Sequence, residues 1–166
     1  WQRLSFTPAT GQWHRHLGNT YVNFANLRLW GDYQNGQIYQ QDRKFYTDGA
    51  LPLRALRRTP HVWSREDRKR LQQASLQVEF TPGIGLQTGQ GSNPQAMFRW
   101  SDDGGFRWSN EHFVSIGKVG ETRNRAIQRR IGSPRDRVYE VSITDPVPRD
   151  IVGATLFGER EDAQAA

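Results

Sequence analysis

The stretch FRWSDDGGFRW, residues 98–108, leaves this chain the least conformational freedom. Ahead of its centre, Ala96, Phe98 and Trp100 alternate with Met97, Arg99 and Ser101, the two-residue period of a half-buried strand. Gly104 and Gly105 follow, and a residue without Cβ reaches positive φ at little steric cost. Asp102 and Asp103 can accept hydrogen bonds from backbone N–H groups about two residues on, holding the loop from inside. Trp108 offers a large apolar plug for the base of the hairpin. A strand, a tight acidic turn and a returning strand in so short a span commit the segment to a sheet.

Written as S-x-D-x-G-x-x-W, the segment resembles an Asp-box, with Ser101, Asp103, Gly105 and Trp108 at the matching places and Arg107 where Thr is usual. Asp-boxes recur in sialidases and many other β-propellers as turn devices remote from the catalytic centre. The resemblance implies a structural turn at these four residues; acid catalysis or metal ligation is the second reading.

The rest of the chain repeats the scheme of short strand and turn. Alternation or β-rich composition predicts strands over 1–6, 13–17, 21–24, 27–33, 38–42, 76–80, 112–116, 123–131, 138–143 and 151–157, with an Arg-rich strand ending at Thr59-Pro60. Asn35-Gly36 predicts a type I′ turn, and YTDGALP, residues 46–52, a further acidic-glycine turn. Leu76, Val78, Phe80, Tyr139, Val141 and Ile143 are expected inward, and Gln77 and Glu79 outward. In 123–131, Arg125, Ile127, Arg129 and Ile131 share one face, and Asn124, Ala126, Gln128 and Arg130 the other. The one helix predicted is SREDRKRL, Ser64 to Leu71, with Ser64 as N-cap and Asp67 at N3, though it lacks an apolar face. The Gly-rich segment 81–94 has no Lys-Ser/Thr and no helix pattern behind it, so both phosphate-binding fingerprints are absent and a mobile surface loop is expected.

Only 35% of residues are apolar, yet six Trp, five Tyr and eight Phe are present, which points to a thin, aromatic core in sheets. No apolar run approaches a membrane helix or a secretory leader. The absence of Cys excludes disulfides and thiolate metal sites and leaves the compartment open. A net charge of +6 invites a nucleic-acid partner. The basic residues are dispersed, however, with clusters at 54–58, 65–70 and 123–137 and no aromatic-plus-basic module. A solvated or subunit-facing surface is the plainer reading. The only Met is Met97 and the first residue is Trp1, so the chain reads as a portion of a longer polypeptide or one whose beginning was removed.

These strands make an all-β chain of about three four-stranded blades at a period of roughly 40–45 residues. A partial β-propeller of antiparallel strands is expected over residues 1–158, with a polar tail at 159–166. About four to eight blades close a ring, so earlier residues or neighbouring subunits would complete it. A β-sandwich is the alternative. No catalytic, cofactor-binding or metal residue is assigned. His14 and His16 share a strand face but lack a third ligand nearby. A sialidase-like enzyme would draw on Asp32, Asp48, Glu111, Glu121 or Tyr139; turnover of sialosides would reveal it. A carbohydrate-binding propeller would use Trp13, Trp30 or Trp63 as stacking platforms.

Three segments carry a wider resemblance: LWGDYQNGQIYQQD, then YTDGALPLRALRRTPH, then FRWSDDGGFRWSNEHFVSIGKVGETRNRAIQRRIGSPRDRVYEVSITDP. In this order they resemble the C-terminal part of the phage packaged-DNA stabilisation proteins, the tail hub or nozzle proteins of short-tailed bacteriophages. The similarity runs from about Leu29 to Thr155, and SDDGGFRWSNEH, SIGKVGE and RIGSPRDRVYEVSITDP are its most specific parts. Gln128 stands where the pattern has Trp. The resemblance implies a β-propeller-bearing structural subunit of the virion tail, with no catalytic residues and no cofactor. Such subunits form a ring, usually of six, under the portal and its adaptor. The ring extends the DNA channel, helps retain packaged DNA and offers attachment points for fibres, spikes or a plug. A channel wall that lets DNA pass should not bind it tightly, so Arg54, Arg57, Arg123 and Arg125 are expected to face subunits or solvent.

Overall fold

The computed structural model describes residues 4–7, 10–49, 51–64 and 69–160. Among the described residues every regular element is a strand, and all pairings are antiparallel. The chain divides into two compact units, Trp1–Arg54 and Ala55–Ala166.

The first unit holds β1 (Leu4–Thr7) and β2 (Gln12–Arg15) as a hairpin. A meander of β3 (Gly18–Phe24), β4 (Leu27–Asp32) and β5 (Ile38–Gln40) follows, and then the short pair β6 (Thr47–Asp48) and β7 (Leu51–Pro52). The two-residue turn between β3 and β4 is Ala25-Asn26, with φ of 49° and 63°, the left-handed pair that suits the twist of a hairpin. Asn35-Gly36 behaves otherwise: Gly36 alone takes positive φ, at 69°. The connection there is longer, closed by Asp32 N–H on Gln37 O at 2.8 Å and Gln34 N–H on Asp32 Oδ1 at 2.7 Å. Asp32 thus turns the backbone with its own carboxylate, so the expected I′ geometry moves to a site whose sequence does not advertise it.

Ala55–Ala166 contains β8 (Ala55–Arg58), β9 (Val62–Trp63), β10 (Leu71–Phe80), β11 (Gln95–Ser101), β12 (His112–Ser115), β13 (Ala126–Gly132), β14 (Asp136–Ile143) and β15 (Ile151–Arg160). One sheet is ordered β12-β11-β14-β8, with β9 also on β14; the other is β13-β10-β15. From β12 onward the chain alternates between them, β13 to the second sheet, β14 back to the first, β15 to the second again. Leu76, Val78, Phe80, Ala126 and Ile131 from the second sheet meet Ala96, Phe98, Tyr139 and Ile143 from the first in a single core. Each sheet buries one face against the other.

This alternation displaces the expected blades. Among the described residues the sheets have two, three, five, three and two strands, whereas a propeller blade repeats one four-stranded sheet. Two sheets on one core is the arrangement of the sandwich alternative.

Burial also corrects several face assignments. Gln77, expected outward, is buried at 6% exposure, as are Met97 and Ser101 on the second face of β11. Both faces of β10 and β11 are therefore covered at these positions, so strict alternation gives way. In β13 the core residues Ala126 and Ile131 lie an odd number of positions apart. The ladder with β10 steps from Ser75↔Arg129 to Gln73↔Gly132, and Arg130 sits at φ 58°. This is a bulge, and it reverses the inward and outward parity within the strand. The helix expected at Ser64 to Leu71 has its centre outside the described residues; Ser64 is buried, and Leu71 already belongs to β10. Residues 161–166 of the expected tail are likewise outside the described residues, and β15 runs to Arg160.

Candidate functional site: an acidic turn and its ion-pair anchors

The turn after β11 is built from its own side chains. Ser101, 1% exposed, donates its hydroxyl to Asp103 Oδ1 at 2.7 Å, and its Oγ accepts from Gly105 N–H at 2.8 Å. Asp103 Oδ1 also accepts from Arg107 N–H at 2.8 Å. The Trp108 indole donates to Gly105 O at 2.9 Å. Gly105 has φ 101°, a region closed to most L side chains. Ser109 N–H on Trp100 O at 2.8 Å closes the base. The four residues singled out from the motif are therefore joined by one series of hydrogen bonds, Asp103 to Ser101 to Gly105 to Trp108. The Arg107 N–H, with the Ser101 hydroxyl second, holds the Asp103 carboxyl below its ordinary pKa of 3.8.

Asp102 does something different from its neighbour. Instead of capping the loop, it takes a two-pronged ion pair from Arg137, Nε to Oδ1 at 2.5 Å and Nη2 to Oδ2 at 2.8 Å. Arg137 is 4% exposed, and its remaining nitrogen donates to Gln73 Oε1 at 3.3 Å and to the Ile131 carbonyl. The Tyr139 hydroxyl donates to the same Gln73 oxygen. Burial lowers the Arg137 pKa, but pairing with Asp102 and contact with Tyr139 outweigh it, and the net shift is upward. Burial pushes the Tyr139 phenol up as well. Gln73 lies on β10 and Arg137 on β14, so this network stitches one sheet to the other. Paired and hydrogen-bonded on every side, a buried guanidinium is tolerated; unpaired it would not be.

A second anchor sits beside the turn. Glu140, 1% exposed, accepts from Arg58 Nε at 2.6 Å and from Arg99 Nε at 2.5 Å. The registers Arg99↔Glu140 and Glu140↔Arg58 make these direct cross-strand neighbours on three adjacent strands. The same two guanidiniums lie over the Trp108 ring, at 4.9 Å for Arg58 and 4.8 Å for Arg99. Trp108 is therefore half-buried between cations rather than a sealed apolar plug.

The other sequence candidates are scattered. Asp32 serves its own turn, and Glu121 Oε2 accepts from Lys118 N–H at 2.9 Å. Asp48 is on β6, and Glu111 lies exposed just ahead of β12. Tyr139, the nucleophile a sialidase-like reading needs, is 2% exposed with its hydroxyl given to Gln73. Among the described residues no three His, Asp or Glu side chains gather where a metal ion could sit. His16 packs edge-on against Trp30 at 5.9 Å, while His14 Nδ1 lies 2.8 Å from Arg15 O. Arg57, Arg123 and Arg125 are exposed.

Residues 55–159 match the family model described as bacteriophage P22 Gp10, β-sandwich. The chain belongs to that family. P22 Gp10-type proteins are components of the phage tail, which assigns this chain to the virion and agrees with the resemblance to the C-terminal part of tail hub or nozzle proteins. The match begins where the second compact unit begins and covers both of its sheets. The P22 Gp10 family description also names the sandwich that the shared core displays. A search of the curated proteins finds no match.

Proposed function

We propose that this chain is a structural subunit of the hub or nozzle ring of a short phage tail, extending the DNA channel below the portal and helping to retain packaged DNA. The match of residues 55–159 to the P22 Gp10 β-sandwich carries the reading. The geometry supports it. Ser101, Asp103, Gly105 and Trp108 act as scaffold, their polar atoms turned on one another, and the strongest charge pairs fasten strands and sheets instead of facing a cleft. No catalytic residue is assigned, and the candidate carboxylates serve turns or lie apart. For residues 55–159 the sandwich replaces the partial propeller as the building block. Homo-oligomerisation into a ring, of six by the resemblance, would place copies beneath the portal and adaptor proteins and give spike, fibre or plug proteins a seat.

Electron cryo-microscopy of the intact virion tests this directly. The expected result is density for two facing sheets in a ring around the channel, with Arg54, Arg57, Arg123 and Arg125 turned to subunits or solvent. Absence of the chain from the tail, or a pore wall dominated by those arginines, overturns it. Hydrolysis of sialosides or host polysaccharides that is lost on Asp32→Asn, Asp48→Asn, Glu111→Gln or Glu121→Gln would instead establish an enzyme.

A further inference from the structure

The first unit carries a cavity of its own, apart from the family-matched residues 55–159. In the β3-β4-β5 meander, Tyr21, Trp30 and Tyr39 are directly opposed across the three strands and so form one aromatic row. The Tyr21 and Trp30 rings are 5.1 Å apart. Trp30 is held from two directions. Its indole N–H donates to Gln41 Oε1 at 2.7 Å. Gly18 lies so close that an added Cβ would come within 2.7 Å of Trp30 Cε3, so bare backbone clamps that side of the ring. Tyr39 is tethered through its hydroxyl to Gln37 Oε1 at 2.7 Å.

Beside this wall opens a cavity of about 210 Å³, bounded by Trp30, Tyr39, Phe45, Gln41, Asp42 and Asp48. It is smaller than the roughly 300–1,000 Å³ of a drug-sized site and suits a single six-membered ring. Its rim mixes hydrogen-bonding types. Asp42 and Asp48 only accept when ionised. Gln41, with its oxygen committed to Trp30, presents an amide donor. A ligand that uses all of these needs hydroxyl groups able to donate and accept, with a C–H face to lie on the electron-rich surface of an aromatic ring. An organic cation would satisfy the carboxylates and leave the amide donor unanswered.

We infer that this cavity is a binding site for one pyranose unit of a neutral glycan, with Trp30 and Tyr39 as the stacking wall and Asp42, Asp48 and Gln41 as the hydroxyl partners. The site lies wholly outside residues 55–159, so its failure would leave the tail assignment standing. The test is saturation-transfer NMR on the whole chain with methyl α-glucoside, α-galactoside, α-mannoside and α-L-rhamnoside at tens of millimolar, with choline as the cationic probe. At least one pyranoside should receive saturation through its ring C–H protons. Trp30→Ala should weaken that binding about tenfold or more, and Asp48→Asn should weaken it without disturbing the amide spectrum of the meander. Trp63→Ala, at an exposed Trp on β9, should leave it unchanged. Three results overturn the inference: no pyranoside receives saturation, binding survives both Trp30→Ala and Asp48→Asn, or choline alone binds.

Discussion

Residues 4–54 and residues 55–160 are made from the same material, short antiparallel strands joined by polar turns, yet only the second set buries side chains. No described residue of the first unit is buried. Its meander leaves Val22, Phe24, Leu27 and Ile38 exposed on one face, Ile38 at 72%. In Ala55–Ala166, Phe98, Val78, Ile116 and Tyr139 are all at 2% or below. Alternation supplies an apolar face to a strand in either unit; burial requires a second sheet to receive it. Two- and three-stranded sheets without such a partner are marginal alone.

That contrast can be broken by mutation. The largest effect is expected for Phe98→Ala, which should cost about 3–5 kcal/mol and unfold Ala55–Ala166 first in denaturant. Simultaneous loss of the amide resonances of the first unit would show that the two do not behave independently. Glu140→Gln should cost about 2–3 kcal/mol, because it leaves Arg58 and Arg99 without their shared carboxylate; an unchanged denaturation midpoint would mean the pair contributes nothing. Trp108→Ala follows at about 1–2 kcal/mol, below the value for a sealed core tryptophan, since one side of its environment is cationic and wet. Phe24→Ala should fall within about 0.5 kcal/mol in the isolated chain. A loss as large as that of Phe98→Ala would mean the first unit has a core after all.

The smallest effect is the most local. Because hydrogen bonds lower the Asp103 pKa, its contribution to folding is complete above the ordinary value of 3.8 and is lost as pH falls through the lower folded-state value. Carboxyl NMR should place the Asp103 midpoint below 3.8, and Asp103→Asn should abolish that acid dependence. Titration at or above the ordinary value would show that the Arg107 N–H and Ser101 hydroxyl do not hold the carboxylate in solution.

How much of this was legible beforehand depends on whether a feature is local. The hydrogen bonds that join Ser101, Asp103, Gly105 and Trp108 lie within one stretch, so no strand pairing has to be known to see that these residues adjoin. Nearly every strand of more than three residues was also visible, as period-2 alternation does not need to know its partner. Glu140 was not legible. It stands between Tyr139 and Val141 as an ordinary outward position, and only the register that sets Arg58 and Arg99 on either side shows why a carboxylate is buried there. Arg137, Gln73 and Asp102 were hidden for the same reason, being 35 and 64 positions apart from one another along the chain in their bonded pairs. The choice between blades and a sandwich was not legible, because strand number carries no information on which strands adjoin.

The irregularities on the outer strands of the three-stranded sheet have a further consequence. β13 bulges at Arg130, and β15 gains a residue at Val152, where the pairing steps from Glu79↔Gly153 to Phe80↔Ile151. An intruding extended peptide needs an unbroken run of evenly spaced amides to zip onto a sheet's border, and both borders are interrupted. Neither border therefore offers a second extended chain the regular template that sideways fusion into fibrils requires.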